Sequence, residues 1–213
     1  MRLFVILMSL SGILAAFSVS ACSSVPATHP NLIQPVDSSL RSELVRLGRE
    51  DQASRDKFGA AAAHNDTTYV RQLMATDSAR TKRLREIVQA YGWPGRSLVG
   101  QDGATAAWLI LQHSPSTEFQ EALLPTLSAA ADQGEMAKAD IAMLTDRVLV
   151  HTGHPQRYGS QFSVQNGRLI PDSIEDLPGL EARRTAVGLP GMAEYVRMLG
   201  QMYGLPVTWP PAP

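Results

Sequence analysis

The 213-residue chain has a single cysteine, Cys22, so no disulfide can staple it internally and no Cys-rich zinc site can form. It also lacks a charge excess: 19 Lys and Arg stand against 20 Asp and Glu, a formal net charge of −1. Without a basic surplus there is nothing to displace counterions from a phosphate backbone, which argues against a nucleic-acid partner. No glycine-rich phosphate loop follows a strand, and Ser160 has no Gly-x-Ser-x-Gly context, so a nucleophile-elbow hydrolase is not expected. There is no internal repeat of useful length. The one extended apolar run lies at the start, and it is short.

That run, residues 3–19, follows Arg2 and is diluted by Ser9, Ser11, Gly12 and Ser18. At about seventeen residues it sits at the lower edge of what spans a bilayer. It reads as a secretory signal. Val19-Ser20-Ala21-Cys22 completes it as a lipobox, in which small residues let a peptidase take the segment extended and the thiol accepts a diacylglycerol. A transmembrane helix and a plain cleaved signal are the alternatives. On the lipoprotein reading, residues 1–21 are removed, which takes away one Arg and no acid and leaves a net charge of about −2. Acylated Cys22 then anchors the chain in a lipid bilayer, and each buried methylene adds about 0.8 kcal/mol. Ser23 after the Cys points to the outer membrane, facing the periplasm of the bacterial envelope. Residues 22–36, with Pro26, Pro30 and Pro35, read as a semi-extended tether.

A single helical domain is expected over residues 37–205, followed by a proline-rich tail, 206–213, that lies over the surface or frays. The fold class is all-α, with five or six helices and a small inserted β-hairpin near residues 161–170. Helices are expected from Asp37 or Ser38 to about Phe58, and from Asp66 or Thr67 to Tyr91, where Gly92 and Pro94 stop the second. Residues 99–102 read as a turn before an apolar helix over 104–113. Further helices are expected over 116–134, 138–150 and 191–203, with a short helical piece around Arg183-Arg184. Asn166-Gly167 between two apolar-rich runs is a hairpin-turn signal.

Polar side chains inside apolar helices are the informative positions, because burial without a partner is unfavourable. His113 ends one such run; Asp146 and Arg147 sit inside another. The chain also resembles the bacterial family of unknown function numbered 6624. The residues that carry this are Gly92-Trp93-Pro94, Trp108 with Gln112-His113, Asp146-Arg147-Val148-Leu149, Pro155-Gln156 with Tyr158-Gly159-Ser160-Gln161-Phe162, and Arg183-Arg184 with Val187-Gly188-Leu189-Pro190. The family motif Tyr-Gly-Thr-Gln has Ser160 in place of Thr here, which keeps the hydroxyl. The resemblance implies no established activity.

Three readings of function follow. In the first, Arg147, Gln156, Tyr158, Gln161, Arg183 and Arg184 line a cleft that binds a small polar or anionic ligand or a peptide, the partner being that ligand or an envelope protein. In the second, His113 with Asp146 is the acid–base pair of a metal-independent hydrolase or transferase. In the third, the same residues lock the hairpin to the bundle and the protein is purely structural. No cofactor and no metal is expected, because His151 and His154 lack a third ligand and the helix breaks between them. Glu50, Asp51, Arg55 and Asp56 read as a solvated helix face. Arg80, Lys82, Arg83 and Arg85 read as a solvated basic turn, with contact to anionic headgroups as the alternative.

Overall fold

The computed structural model describes residues 37–55 and 66–210. The signal, Cys22, the tether and the end of the helix expected to reach Phe58 lie outside the described residues. The described chain falls into two compact units, one ending at Gln112 and the other beginning at His113.

In the first unit, α1 spans Ser38–Arg55, α2 Thr67–Tyr91 and α3 Arg96–Gln112. Each start has a polar cause. The Asp37 carboxylate accepts the Leu40 N–H at 2.8 Å, and Asp66 accepts those of Thr68 and Tyr69 at 3.1 and 3.0 Å. Gly92 closes α2 with its N–H on the Val88 carbonyl. The turn expected at residues 99–102 is a sharp break inside α3: Gly100 has φ 71° and ψ 173°, and helix resumes after it. The second half of α3 is buried from Gly103 through Gln112, apart from Thr105. It packs against Leu40, Leu44 and Leu47 of α1, which are also buried. Gly48 permits that packing, since a Cβ there would lie 2.8 Å from the Ala106 Cβ. Leu73, Leu84 and Ile87 of α2 complete this core.

In the second unit, α4 spans Thr117–Asp132 and α5 Lys138–His151, and the two pack together. The hairpin follows as β1, Phe162–Gln165, and β2, Arg168–Pro171, antiparallel with Phe162 opposite Pro171 and Gln165 opposite Arg168. Its turn is Asn166-Gly167, both at positive φ (51° and 73°), as the sequence predicts. A 3-10 turn, Leu177–Gly179, leads into α6, Leu180–Ala186, and α7 spans Met192–Tyr203. The expected class is therefore found, with seven helices among the described residues once α6 is counted. Met192, Tyr195 and Leu199, spaced by three and four, turn one face of α7 into the core beside Phe162, Leu169 and Leu180.

The first residues of the tail lie along β2. The Leu169 N–H donates to the Pro206 carbonyl at 2.9 Å, and the Thr208 N–H donates to the Leu169 carbonyl at 2.8 Å. Val207 thus pairs in parallel with Leu169. An apolar residue every second position lets this short segment cover the outer edge of β2.

Candidate functional site

Asp146 lies on α5, four residues from Ala142 and Val150, and is completely buried. A carboxylate there needs donors, and the chain supplies them from its own backbone. Oδ1 accepts the N–H of Arg157 at 2.7 Å and of Tyr158 at 2.9 Å, while Oδ2 accepts that of Ser160 at 2.9 Å. Burial still outweighs these bonds, and the Asp146 pKa is raised above its usual value. None of the donors is His113, which is itself buried at 3% exposure.

The other residues singled out by sequence converge on the same loop. The Gln156 amide is fully engaged. Its Nε2 donates to the carbonyls of Gln161 and Asp172 at 2.9 and 2.8 Å, and its Oε1 accepts the Gln161 N–H at 2.8 Å. Gln161 Nε2 donates to Ser160 Oγ at 3.1 Å. Arg183 grips three carbonyls, those of Arg157, Glu175 and Asp176, at 2.8–2.9 Å, and pairs with the Asp176 carboxylate at 2.6 Å.

Arg184 is completely buried. Its Nε donates to the Pro190 carbonyl at 2.7 Å and its Nη1 to the Tyr158 carbonyl, while the guanidinium lies 4.7 Å from the Tyr195 ring centre. The Tyr195 hydroxyl in turn donates to the Ser160 carbonyl at 2.8 Å. Burial lowers the Arg184 pKa and raises that of Tyr195. Gly159 sits at φ 64° in the middle, where a Cβ would crowd Ile174 and Met192 at 3.3 Å. Residues 156–161 are thus held from three sides by side chains that point at main-chain groups. Arg147 is buried on α5 next to Asp146.

Of the eight candidate residues, Tyr158 is the one that lines an adjoining groove of about 160 Å³. Ser128, Asp132, Lys138 and Thr145 contribute its polar lining, and Ile141 and Val187 its apolar surface. Lys138 and Asp132 form an exposed ion pair at 3.0 Å. His151 stands at the end of α5, where burial and then the charge of Arg147 lower its pKa. Its Nδ1 is 3.3 Å from the Thr117 hydroxyl. Among the described residues no group of three or more His, Cys, Asp or Glu side chains is placed to hold a metal ion. Nor is any described helix long and apolar enough to cross a membrane.

The model of a family of unknown function, DUF6624, matches residues 38–208. The chain belongs to that family. No curated protein and no solved structure matches it. The DUF6624 match begins at the first residue of α1 and ends at Thr208, which bonds to Leu169, so it takes in both units and the paired part of the tail.

The first unit of this DUF6624 chain also holds a buried cluster of four charged residues, three of which, Asp51, Arg55 and Arg80, are expected on the surface from sequence. Asp51 and Arg55 of α1, with Asp77 and Arg80 of α2, are all under 9% exposed, so neither the solvated face nor the solvated basic turn describes them. Arg55 Nη2 bridges Asp77 Oδ2 at 2.8 Å and Asp51 Oδ1 at 3.3 Å. Arg80 Nη1 reaches Asp77 Oδ1 at 3.0 Å, and its Nη2 donates to Ser54 Oγ at 3.1 Å. Arg83, from the same basic run, is committed to Glu43 at 2.6 Å and Glu86 at 3.0 Å. The signal for burial is periodicity: Leu73, Asp77, Arg80, Leu84 and Ile87 keep one 4-3-4-3 stripe.

Proposed function

We propose that this DUF6624 protein is a lipid-anchored lipoprotein of the bacterial envelope, and that its periplasmic domain binds a small polar ligand. The anchor reading is supported by Val19-Ser20-Ala21-Cys22 at the end of the apolar run. The binding reading rests on one observation, the groove beside the stapled loop. Its volume is below the roughly 300 Å³ of ordinary ligand pockets, which suits a ligand of amino-acid size. Its lining carries one cation, one anion and three hydroxyl-bearing side chains, a set that matches a zwitterion. Tyr158 is held in advance, because its N–H is on Asp146 and its carbonyl on Arg184, so little order remains to be imposed on binding.

Two experiments test the two halves. Labelled palmitate is expected to enter the parent but not Cys22→Ser, and the variant is expected to leave the membrane fraction. Unlabelled or unaffected protein refutes the anchor. For the groove, saturation-transfer NMR with free amino acids and dipeptides as probes is expected to give signals that Tyr158→Ala and Thr145→Val remove. Probes that give no signal, or one that both variants keep, refute the binding reading.

A further inference from the structure

The chain's near-neutral total conceals a division of sign. The described residues of the first unit carry ten basic and eight acidic side chains, whereas those of the second carry seven and eleven. The first unit also holds a helix with a one-sided outer face. At 100° per residue, Arg71, Ser78, Lys82 and Gln89 of α2 fall within about 20° of a single line. All four are exposed; Asp77 is buried about 120° round the helix from that line, and exposed Glu86, one turn past Lys82, is paired with Arg83. Neither Arg71 nor Lys82 has an ion-pair partner among the described residues, in contrast to Arg41, Arg46 and Arg83. Met74 stands between them at 54% exposure, one of the few large apolar side chains that the described surface displays.

We infer that this outer face of α2 lies against the anionic headgroups of a phospholipid bilayer. Two cations about 16 Å apart on one line, separated by small residues and a projecting methionine, fit a surface of diffuse negative charge with shallow apolar access. The partner is identified by where the anchor enters. Fourteen residues separate Cys22 from Asp37, at most about 50 Å of chain, and they lead directly into the positive unit. This placement rests on the lipid-anchor reading; the headgroup contact itself is measured without the anchor.

The test uses the whole mature chain from residue 22 with Cys22→Ser, so that no acyl group contributes. It is floated with vesicles of phosphatidylglycerol and phosphatidylethanolamine, and with neutral phosphatidylcholine vesicles. Flotation is expected with the anionic vesicles only, weakening as salt rises toward about 150 mM. At roughly fivefold in partition for each cation, Arg71→Glu with Lys82→Glu is expected to lower it more than about tenfold. Arg197→Glu on the second unit is expected to leave it unchanged. Arg71→Gln with Lys82→Gln stands in if the reversed pair alters the melting temperature. Equal flotation with both vesicles, none with either, or indifference to the Arg71 and Lys82 changes overturns the inference. Flotation by a chain whose parent takes up no palmitate would support the headgroup contact while refuting the anchor.

Discussion

Between α1 and α2, two carboxylates and two guanidiniums answer one another, whereas around Asp146 the charged side chains answer the main chain. Both arrangements take charge out of water, but they constrain the chain differently. The Asp51, Arg55, Asp77 and Arg80 cluster is built of side chains, each of which is replaceable. The Asp146 network ends on peptide N–H groups, which only a substitution by proline removes. One helix pair uses charge in place of apolar packing; the loop uses it because a segment without regular secondary structure must satisfy its N–H and C=O groups somehow.

The largest expected effect therefore falls on the loop. Asp146→Ala strands three main-chain N–H groups and is expected to destabilise the second unit by about 4 kcal/mol, read by urea unfolding. A loss below about 1 kcal/mol would mean that water takes over those donors and that the two networks are alike. Next, Asp77→Leu leaves Arg55 and Arg80 short of a partner and is expected to lower stability by about 3 kcal/mol. Replacing Asp51, Arg55, Asp77 and Arg80 together by Leu and Met is expected to return the chain to within about 1 kcal/mol of the parent. If the fourfold variant is worse than Asp77→Leu alone, the cluster contributes more than charge balance.

The smallest effect is in pH. Burial raises the Asp146 pKa above 3.8, so between 3.8 and the raised value the folded chain holds this proton more readily than the unfolded one. The stability it contributes is complete below 3.8 and is lost as pH rises through the folded value. Asp146→Asn lacks this dependence, so the gap between parent and variant is expected to widen on acidification from pH 7 to pH 4. A narrowing gap would show that the N–H bonds, rather than burial, govern the group.

Much of the fold was legible because its signals are local. Asp66, Gly92, Asn166 and Gly167 mark boundaries by their own chemistry, and the apolar stripe of α7 is a simple period. The candidate loop was legible too, since Asp146 is a charge inside an apolar helix and Gln156, Gln161, Arg183 and Arg184 lie in the motifs that carry the family resemblance. The direction in which they point was not. A buried Gln amide looks the same in sequence whether it faces a ligand or its own backbone. Asp51, Arg55 and Arg80 were misread for a related reason. Their charges suggested solvent, although their spacing continued the stripes of Leu40, Leu44 and Leu47 and of Leu73, Leu84 and Ile87. Where charge and period disagree, the period located the residues correctly in both helices.

The concavity of N–H groups at residues 157, 158 and 160 has the chemistry of an anion receptor, of the kind that elsewhere closes on a dissolved phosphate or carboxylate. Here the anion arrives covalently attached, as the side chain of Asp146. Its effective concentration is set by the fold rather than by the medium, so occupancy does not depend on which ions are outside. The loop that holds Tyr158 at the groove is consequently buffered against the changing salt and metabolite content of its surroundings.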